Sequence, residues 1–435
     1  MGAVANPDRL SGLDAAFLHL EAQGAHMHVA SVITFAGEAP AYDEVRAALT
    51  ERLHLVPRYR QQLAFVPLDQ GRPVWVDDPH FTLDYHLRHS ALPAPGTDEQ
   101  LAALAGRLFA VQLDRDKPLW ELHLVEGLAP APDGTPRFAL IAKTHHALVD
   151  GVSGVDITSV LFSTAPDPAP VGPPASPWLP RPRPGAAQLL VDALAERLTT
   201  PAEALRGLRA LGRAPRQAGD RVLTRLTAAG AMSWAGLRAA PPTPLNVTIG
   251  PHRRYGWVNA PLDQFKGIKN QLGGTINDAV LATVTLALGR WMRGRGFDTE
   301  GLVLKAMVPV SVRAGDQEGA LGNRVSALWA PLPVHEDDPR AALALIREAM
   351  GDLKASGQAV GAEVLTGLAD FAPPTIASQA ARLQPRRRFF NLVVTNVPGP
   401  QFPLYLLGRR MLAIHPVAPL AQNTALSIAI MSYCG

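Results

Sequence analysis

Ala142-Lys143-Thr144-His145-His146-Ala147-Leu148-Val149-Asp150-Gly151 decides how this chain is read. An apolar run, Arg137-Phe138-Ala139-Leu140-Ile141, leads into it and reads as a buried strand. Val152 to Phe162 follows and reads as a helix, with Val152, Val155, Ser159 and Phe162 on one stripe. Two histidines therefore sit where a strand ends, and an Asp-Gly turn follows them. A strand end is a rigid place from which to aim an imidazole into a cleft. Histidine titrates close enough to neutral pH to take a proton from an alcohol. Asp150 either orients the imidazole or holds the loop.

Three other readings compete for the same residues. Adjacent histidines are often structural. A metal site can use His, His and Asp, but no Cys, Glu or third His stands nearby at a ligand spacing. A serine hydrolase would need a nucleophile elbow. Gly151-Val152-Ser153-Gly154-Val155 has its second glycine one place early, so the G-x-S-x-G pattern fails.

The chain has 435 residues, enough for two or three domains with a large core. A net charge of +3 argues against a general polyanion binder. Cys434 is the only cysteine, so no disulfide forms within the chain, which fits a reducing cytoplasm. The first residues carry no apolar signal region, and Asn6 stands where a myristoylation signal wants Ser or Thr. No run of about 18 uncharged apolar residues occurs, so a membrane role is expected to be peripheral.

Motifs along the chain frame the histidine stretch. Ser11 and Asp14 fit a helix start, with Phe17 and Leu18 following. His26 to Phe35 alternates, with Met27, Val29, Ile33 and Phe35 on one face, and His26 and His28 are expected to be solvated on the other. Tyr42 to Leu55 reads as a helix, Phe81 to Arg88 as a short extended segment, and Thr97 with Gln100 as a capping box. Pro118-Leu119-Trp120 opens a strand with a core Trp that pairs with 137–143 through an Asp133-Gly134 hairpin.

Ala165 to Pro184 is a proline-rich linker. From Arg181 to Ala240 ten arginines face four acids among regularly spaced leucines. Such a basic amphipathic segment is either a membrane-surface element or a helical bridge between domains. No interleaved aromatics or fold signature point to nucleic acid.

Further on, Arg254 to Ala260 reads as a strand and Leu262 to Leu272 as a helix. Thr275 caps a second helix with Asp278 at its third position, which capping alone explains. Asn277 is less favoured in a first turn and is the better candidate for contact with substrate or with the histidine loop. Leu302 to Val312 and Arg324 to Leu332 read as strands and Pro339 to Leu353 as a helix. Phe389 to Asn396 is a strand stopped by Val397-Pro398-Gly399-Pro400, preceded by a basic knot at Arg386 to Arg388. Thr424 to Tyr433 is a last strand.

The His145-His146-x-x-x-Asp150-Gly151 string resembles the signature of the bacterial wax ester synthase/diacylglycerol acyltransferase family, within the coenzyme A-dependent acyltransferase superfamily. The string alone marks the superfamily, which includes chloramphenicol acetyltransferases and peptide-synthetase condensation domains. Ser11-x-x-Asp14-x-x-Phe17, Pro118-Leu119-Trp120, Asn277-Asp278 and Asn396-Val397-Pro398-Gly399-Pro400 resemble the narrower family's further motifs. The resemblance implies an α/β fold of two chloramphenicol acetyltransferase-like domains with mixed sheets, forming a pseudo-dimer around a central tunnel. The domains would span residues 1–165 and 246–435, with the linker and basic bridge at 166–245. Family members continue past the residue that ends this chain, which implies a shortened second domain.

It also implies transfer of an acyl group from acyl-coenzyme A to diacylglycerol or a long-chain alcohol. His146 would be the general base, with no acyl-enzyme, no metal and no cofactor beyond acyl-coenzyme A as substrate. His145 and Asp150 would shape the loop, and Gly151, Asn277, Asp278 and Asp14 would line the substrate. The expected setting is the inner face of a membrane or a lipid droplet. The alternatives are another transferase of the superfamily, against which the lack of a carrier domain weighs for the condensation type, and a catalytically silent lipid-binding protein.

Overall fold

Two mixed sheets and a small hairpin sheet organise the chain. The structure is a computed structural model that describes residues 8–21, 24–149, 157–174, 176–196, 239–311, 325–355 and 389–435. The first half supplies α1 (Gly12–Leu20), β1 (His28–Ala36), α2 (Tyr42–Arg52), β2 (Gln61–Ala64), β3 (Val74–Asp77), α3 (Leu83–His86), β4 (Leu87–Ala91), α4 (Asp98–Ala110), β5 (Trp120–Leu128), β6 (Arg137–His145), α5 (His146–Val149) and α6 (Ile157–Leu161). The second half supplies α7 (Leu262–Leu272), α8 (Ile276–Arg293), β7 (Val303–Ser311), β8 (Val325–Pro333), α9 (Pro339–Ala355), β9 (Leu392–Pro398), β10 (Tyr405–Leu406), β11 (Arg409–Val417) and β12 (Ser427–Ser432).

The first sheet runs β10–β11–β1–β6–β5–β4. Its central register sets Ile33 opposite Leu140 and Phe35 opposite Phe138. Because side chains alternate along each strand, this parity sorts them into two cores. Ile33, Phe35, Leu122, Leu124, Phe138 and Leu140 join the side chains of α1, α2 and α5 on one face. Val32, Val125, Ala139 and Ile141 meet Leu101, Ala105 and Phe109 of α4 on the other. The sheet is thus covered on both sides, and its strands read as nearly continuous apolar runs.

The second sheet runs β12–β9–β7–β8, with β12, β9 and β7 parallel and β8 antiparallel. Leu281 and Leu288 of α8 and Leu343 and Ile346 of α9 pack on it. Asn391 ties this sheet to the segment before it. Its Oδ1 accepts the Lys305 N–H at 2.8 Å, and its Nδ2 donates to Pro241 O at 2.8 Å and to Asn246 Oδ1 at 2.6 Å. Satisfying every polar group of a fully buried amide in this way fixes where residues 241–246 rejoin the fold.

Local signals gave the expected elements. Ser11, Thr97 and Thr275 accept from the N–H groups of Asp14, Gln100 and Asp278 and start their helices. Thr135 donates its N–H to Asp133 Oδ1 in the hairpin turn, and Gly134 takes the positive φ there. Gly399 lies so close to the Ser432 carbonyl that a Cβ has no room, which accounts for the Pro-Gly-Pro stop.

Four expectations are corrected. Residues 254–260 form no strand; Tyr255 and Trp257 lie edge-on to Phe109 and stacked on His415. Phe81 to Arg88 contains α3 before β4 begins. His28 is buried rather than solvated, because α4 covers that face. The boundary at residue 246 does not separate the sheets: β10 and β11 return to the first one, and β11 pairs with β1 from Ala30 to Phe35. Without that pairing the long β1 would expose a row of unpaired backbone groups. Of the basic segment, residues 186–196 are helical; Arg206, Arg209, Arg213, Arg216 and the Arg386 to Arg388 knot lie outside the described residues. Among the described residues no single helix is long and apolar enough to cross a membrane.

Candidate functional site

The histidine pair is held by three strands and a turn. His145 ends β6, where its Cα pairs with that of His28 on β1. Its N–H donates to Leu119 O at 2.9 Å, so the Pro118-Leu119-Trp120 stretch clamps it from the β5 side. The next N–H, from His146, donates to Met27 O at 2.8 Å on the β1 side. The chain then turns into α5, and the Ala147 N–H donates to His145 Nδ1 at 3.1 Å. His146 is half-buried, and its ring stacks on Phe17 of α1 with centroids 4.0 Å apart and planes 22° apart. Backbone and ring of His146 are thus both held by protein contacts.

His145 points the other way, into the protein. It is 1% exposed. Its Nδ1 accepts a backbone N–H, so in the neutral ring the proton resides on Nε2. That nitrogen lies 3.3 Å from Glu21 Oε1. Glu21 follows α1 directly, and its side chain is 2% exposed. Its hydrogen bonds come from the Met27 N–H at 2.9 Å, Gln112 Nε2 at 2.9 Å and Arg115 Nη2 at 2.6 Å. Burial alone would raise the Glu21 pKa; the His145 ring, Arg115 and the Met27 N–H outweigh it and hold the carboxyl far below the usual carboxylate range. It is a carboxylate at any working pH.

Beside it, His28 Nε2 accepts the Leu113 N–H at 3.3 Å, and burial with the nearby Lys143 charge pushes its pKa down to about 2. Lys143 is fully buried and donates to Leu108 O at 3.1 Å and Val111 O at 2.6 Å, ending α4 with a cation at its negative pole. Burial lowers its pKa too. His86, stacked on Trp120 with its Nδ1 2.8 Å from Trp120 O, is pushed down to about 4, mainly by burial.

These neutral histidines make stability depend on pH. Both folded values lie below the unperturbed value of about 6.5, so the unfolded chain binds protons that the native chain refuses. Their contribution is complete above that value and is lost as pH falls toward the folded values. At pH 5.5 each histidine costs about 1 kcal/mol relative to pH 7. Melting curves should therefore shift downward by about 2 °C between pH 7 and 5.5; a flat melting temperature over that range would contradict the burial of neutral His28 and His86.

The remaining expected residues fall in three groups. Asp14 is buried, and its Oδ2 accepts from Ser11 Oγ at 2.8 Å while its N–H caps on the same hydroxyl. Asp278 closes the Thr275 capping box through Oδ2 at 2.7 Å, and Asn277 Oδ1 accepts from Asn396 Nδ2 in a long 3.5 Å bond. The Asn-Asp and Asn-Val-Pro-Gly-Pro motifs therefore meet. Asp150, Gly151 and Ser153 lie outside the described residues. Among the described residues no three His, Cys, Asp or Glu side chains gather to hold a metal ion.

Sequence reasoning missed Glu21, His28, Gln112, Arg115 and Lys143. One local signal existed: Glu21 is an acid at the C-terminal end of a helix, where the dipole disfavours it.

Comparison with known proteins follows the same map. The model of the wax ester synthase/diacylglycerol acyltransferase catalytic domain matches residues 10–280, and that of the family's C-terminal domain matches residues 321–435. "Probable diacyglycerol O-acyltransferase tgs1" of Mycobacterium tuberculosis is 32% identical over 445 residues, covering 98% of this chain and 89% of that protein. "Probable diacyglycerol O-acyltransferase tgs2" of the same organism is 35% identical over 436 residues, covering 97% and 90%. The solved wax ester synthase/diacylglycerol acyltransferase of Marinobacter aquaeolei VT8 superposes with a TM-score of 0.64 at 27% identity, over 98% of this chain and 90% of that one. The starter condensation domain of rhizomide synthetase RzmA shares the fold alone, at a TM-score of 0.52 and 14% identity over 98% and 86%.

Proposed function

The chain belongs to the wax ester synthase/diacylglycerol acyltransferase family and is an acyltransferase, and from that premise we propose that His146 is the base that moves an acyl group from acyl-coenzyme A to diacylglycerol. The observation that carries this reading is the fixed His146 ring, stacked on Phe17 and anchored through Met27. The imidazole takes the proton of the acceptor hydroxyl. The alkoxide attacks the thioester carbonyl, the coenzyme A thiolate leaves, and the imidazolium returns the proton to it. Ester and free thiol are the products. Both reactants meet at one point in the tunnel expected between the two halves, so no acyl-enzyme is needed.

The oxyanion needs a donor. Asn277 is the candidate from this chain, since its Oδ1 accepts from Asn396 and its amide N–H groups are the donors it has to offer. A bound water is the rival donor. No cofactor enters, because the acyl group arrives already activated. A long-chain alcohol is accepted by the same chemistry and gives a wax ester.

Diacylglycerol resides in a lipid phase, so the protein works at a lipid surface. The arginine-rich segment after residue 181 is the element that would adhere. One experiment tests the whole reading. Purified protein is given acyl-coenzyme A and anionic vesicles carrying diacylglycerol. It should float with the vesicles at low salt, make triacylglycerol, and keep its unmodified mass when given acyl-coenzyme A alone. Flotation without product would favour the silent lipid-binding reading, and a stable acyl adduct on Ser153 or Cys434 would contradict direct transfer.

A further inference from the structure

We propose that Glu21 is a positioning residue for the acyl transfer, acting through His145 on the turn that presents His146. This deepens the reading of His146 as the base and rests on it. The geometry is one of donors converging on a carboxylate. Oε1 receives the Met27 N–H at 2.9 Å and faces His145 Nε2 at 3.3 Å; Oε2 receives Gln112 at 2.9 Å and Arg115 at 2.6 Å. The Met27 contact matters twice, because the carbonyl of the same residue accepts the His146 N–H. Glu21 thus holds both the strand end that anchors His146 and the ring that precedes it.

The link to His146 is the tautomer of His145. With its proton on Nε2 facing Glu21, Nδ1 is an acceptor and takes the Ala147 N–H. With the proton on Nδ1, two N–H groups would meet at 3.1 Å and the turn after His146 would have to move. A carboxylate at position 21 selects the first tautomer. An amide cannot do so without conflict. Placed with its NH2 group at the Oε1 position it opposes the Met27 N–H and invites the wrong tautomer. Placed at the Oε2 position it opposes Arg115 and Gln112, and of these only the Gln112 amide can flip to present an oxygen. Both ring nitrogens of His145 face protein groups, which leaves proton transfer with substrate to His146.

The test uses full-length wild type, Glu21→Gln, Glu21→Gln combined with Arg115→Met, and His146→Ala. Selective 15N labelling of histidine reads the His145 tautomer without reference to activity. In wild type His145 should show the Nε2–H form. Glu21→Gln should shift it toward Nδ1–H and lower kcat at least 10-fold, with the KM for acyl-coenzyme A within about 3-fold. Removing the Arg115 cation lets the amide turn its NH2 away from His145, so the double variant should regain the Nε2–H form and most of the lost kcat. A folded Glu21→Gln with kcat within 3-fold of wild type, or one that loses kcat with the His145 signature unchanged, overturns the proposal. So does a folded double variant no faster than His146→Ala, which also covers the case in which the single variant fails to fold. Full activity in His146→Ala would instead sink the base assignment, whatever Glu21 does.

Discussion

His146→Ala lowers the rate of triacylglycerol formation by at least about 100-fold while the protein stays folded. The size follows from the role, since removing a positioned general base typically costs that much or more. The stability effect is small by comparison. The ring is half-buried and stacks on Phe17, a contact worth about 0.5–1.5 kcal/mol beyond the area it buries. The backbone bond from the His146 N–H to Met27 O survives the substitution. His145→Ala should behave in the opposite proportion. It removes a fully buried ring, the acceptor of the Ala147 N–H and the partner of Glu21, so it should melt lower and lose activity through a displaced turn. Steady-state rates and melting curves on the same preparations separate the two. A folded His146→Ala enzyme of near-normal rate would contradict the mechanism.

Trp120→Ala should destabilise the chain by about 3–5 kcal/mol, the range for truncating a large buried aromatic. Trp120 is 1% exposed, stacks on His86 with centroids 4.5 Å apart, and lies edge-on to Tyr59 at 5.5 Å. Its Nε1 donates to Tyr59 O at 2.8 Å, so truncation leaves a cavity and also removes a buried hydrogen bond. Activity should fall too, because the neighbouring Leu119 carbonyl holds His145. Trp291, 39% exposed on α8, is the control; its truncation should cost less than about 1 kcal/mol. Melting temperature checks both. A Trp120→Ala protein that melts within about 2 °C of wild type would show that the strand is not held as described.

Short-range chemistry was legible in the sequence. The caps at Ser11, Thr97 and Thr275 and the Asp133-Gly134 turn involve groups within four residues of one another, so their partners could be named from the string. The helix read over Leu262 to Leu272 appears with those bounds. Pairing over long separations was not legible. Nothing local to Arg409–Val417 says that it lies beside β1, almost 400 residues earlier in the chain. The period-two reading of β1 was correct, but alternation does not tell a solvated face from one covered by a helix, and His28 went to the wrong environment for that reason. Glu21 is the sharpest case. Its partners are Met27, Gln112, Arg115 and His145, and their convergence exists only in three dimensions. The motif residues divide the same way. Leu119 and Asn396 were marked as family signatures, and the fold adds what they touch: the His145 N–H for one and Asn277 for the other.

The central claim is that the missing element in His146→Ala is a proton acceptor and nothing else. Imidazole supplied in solution tests it most directly. In the folded variant, triacylglycerol formation from acyl-coenzyme A and vesicle-borne diacylglycerol should rise with added imidazole from a rate at least about 100-fold below wild type. A folded variant whose rate does not respond to imidazole, or one already at the wild-type rate without it, would contradict the account.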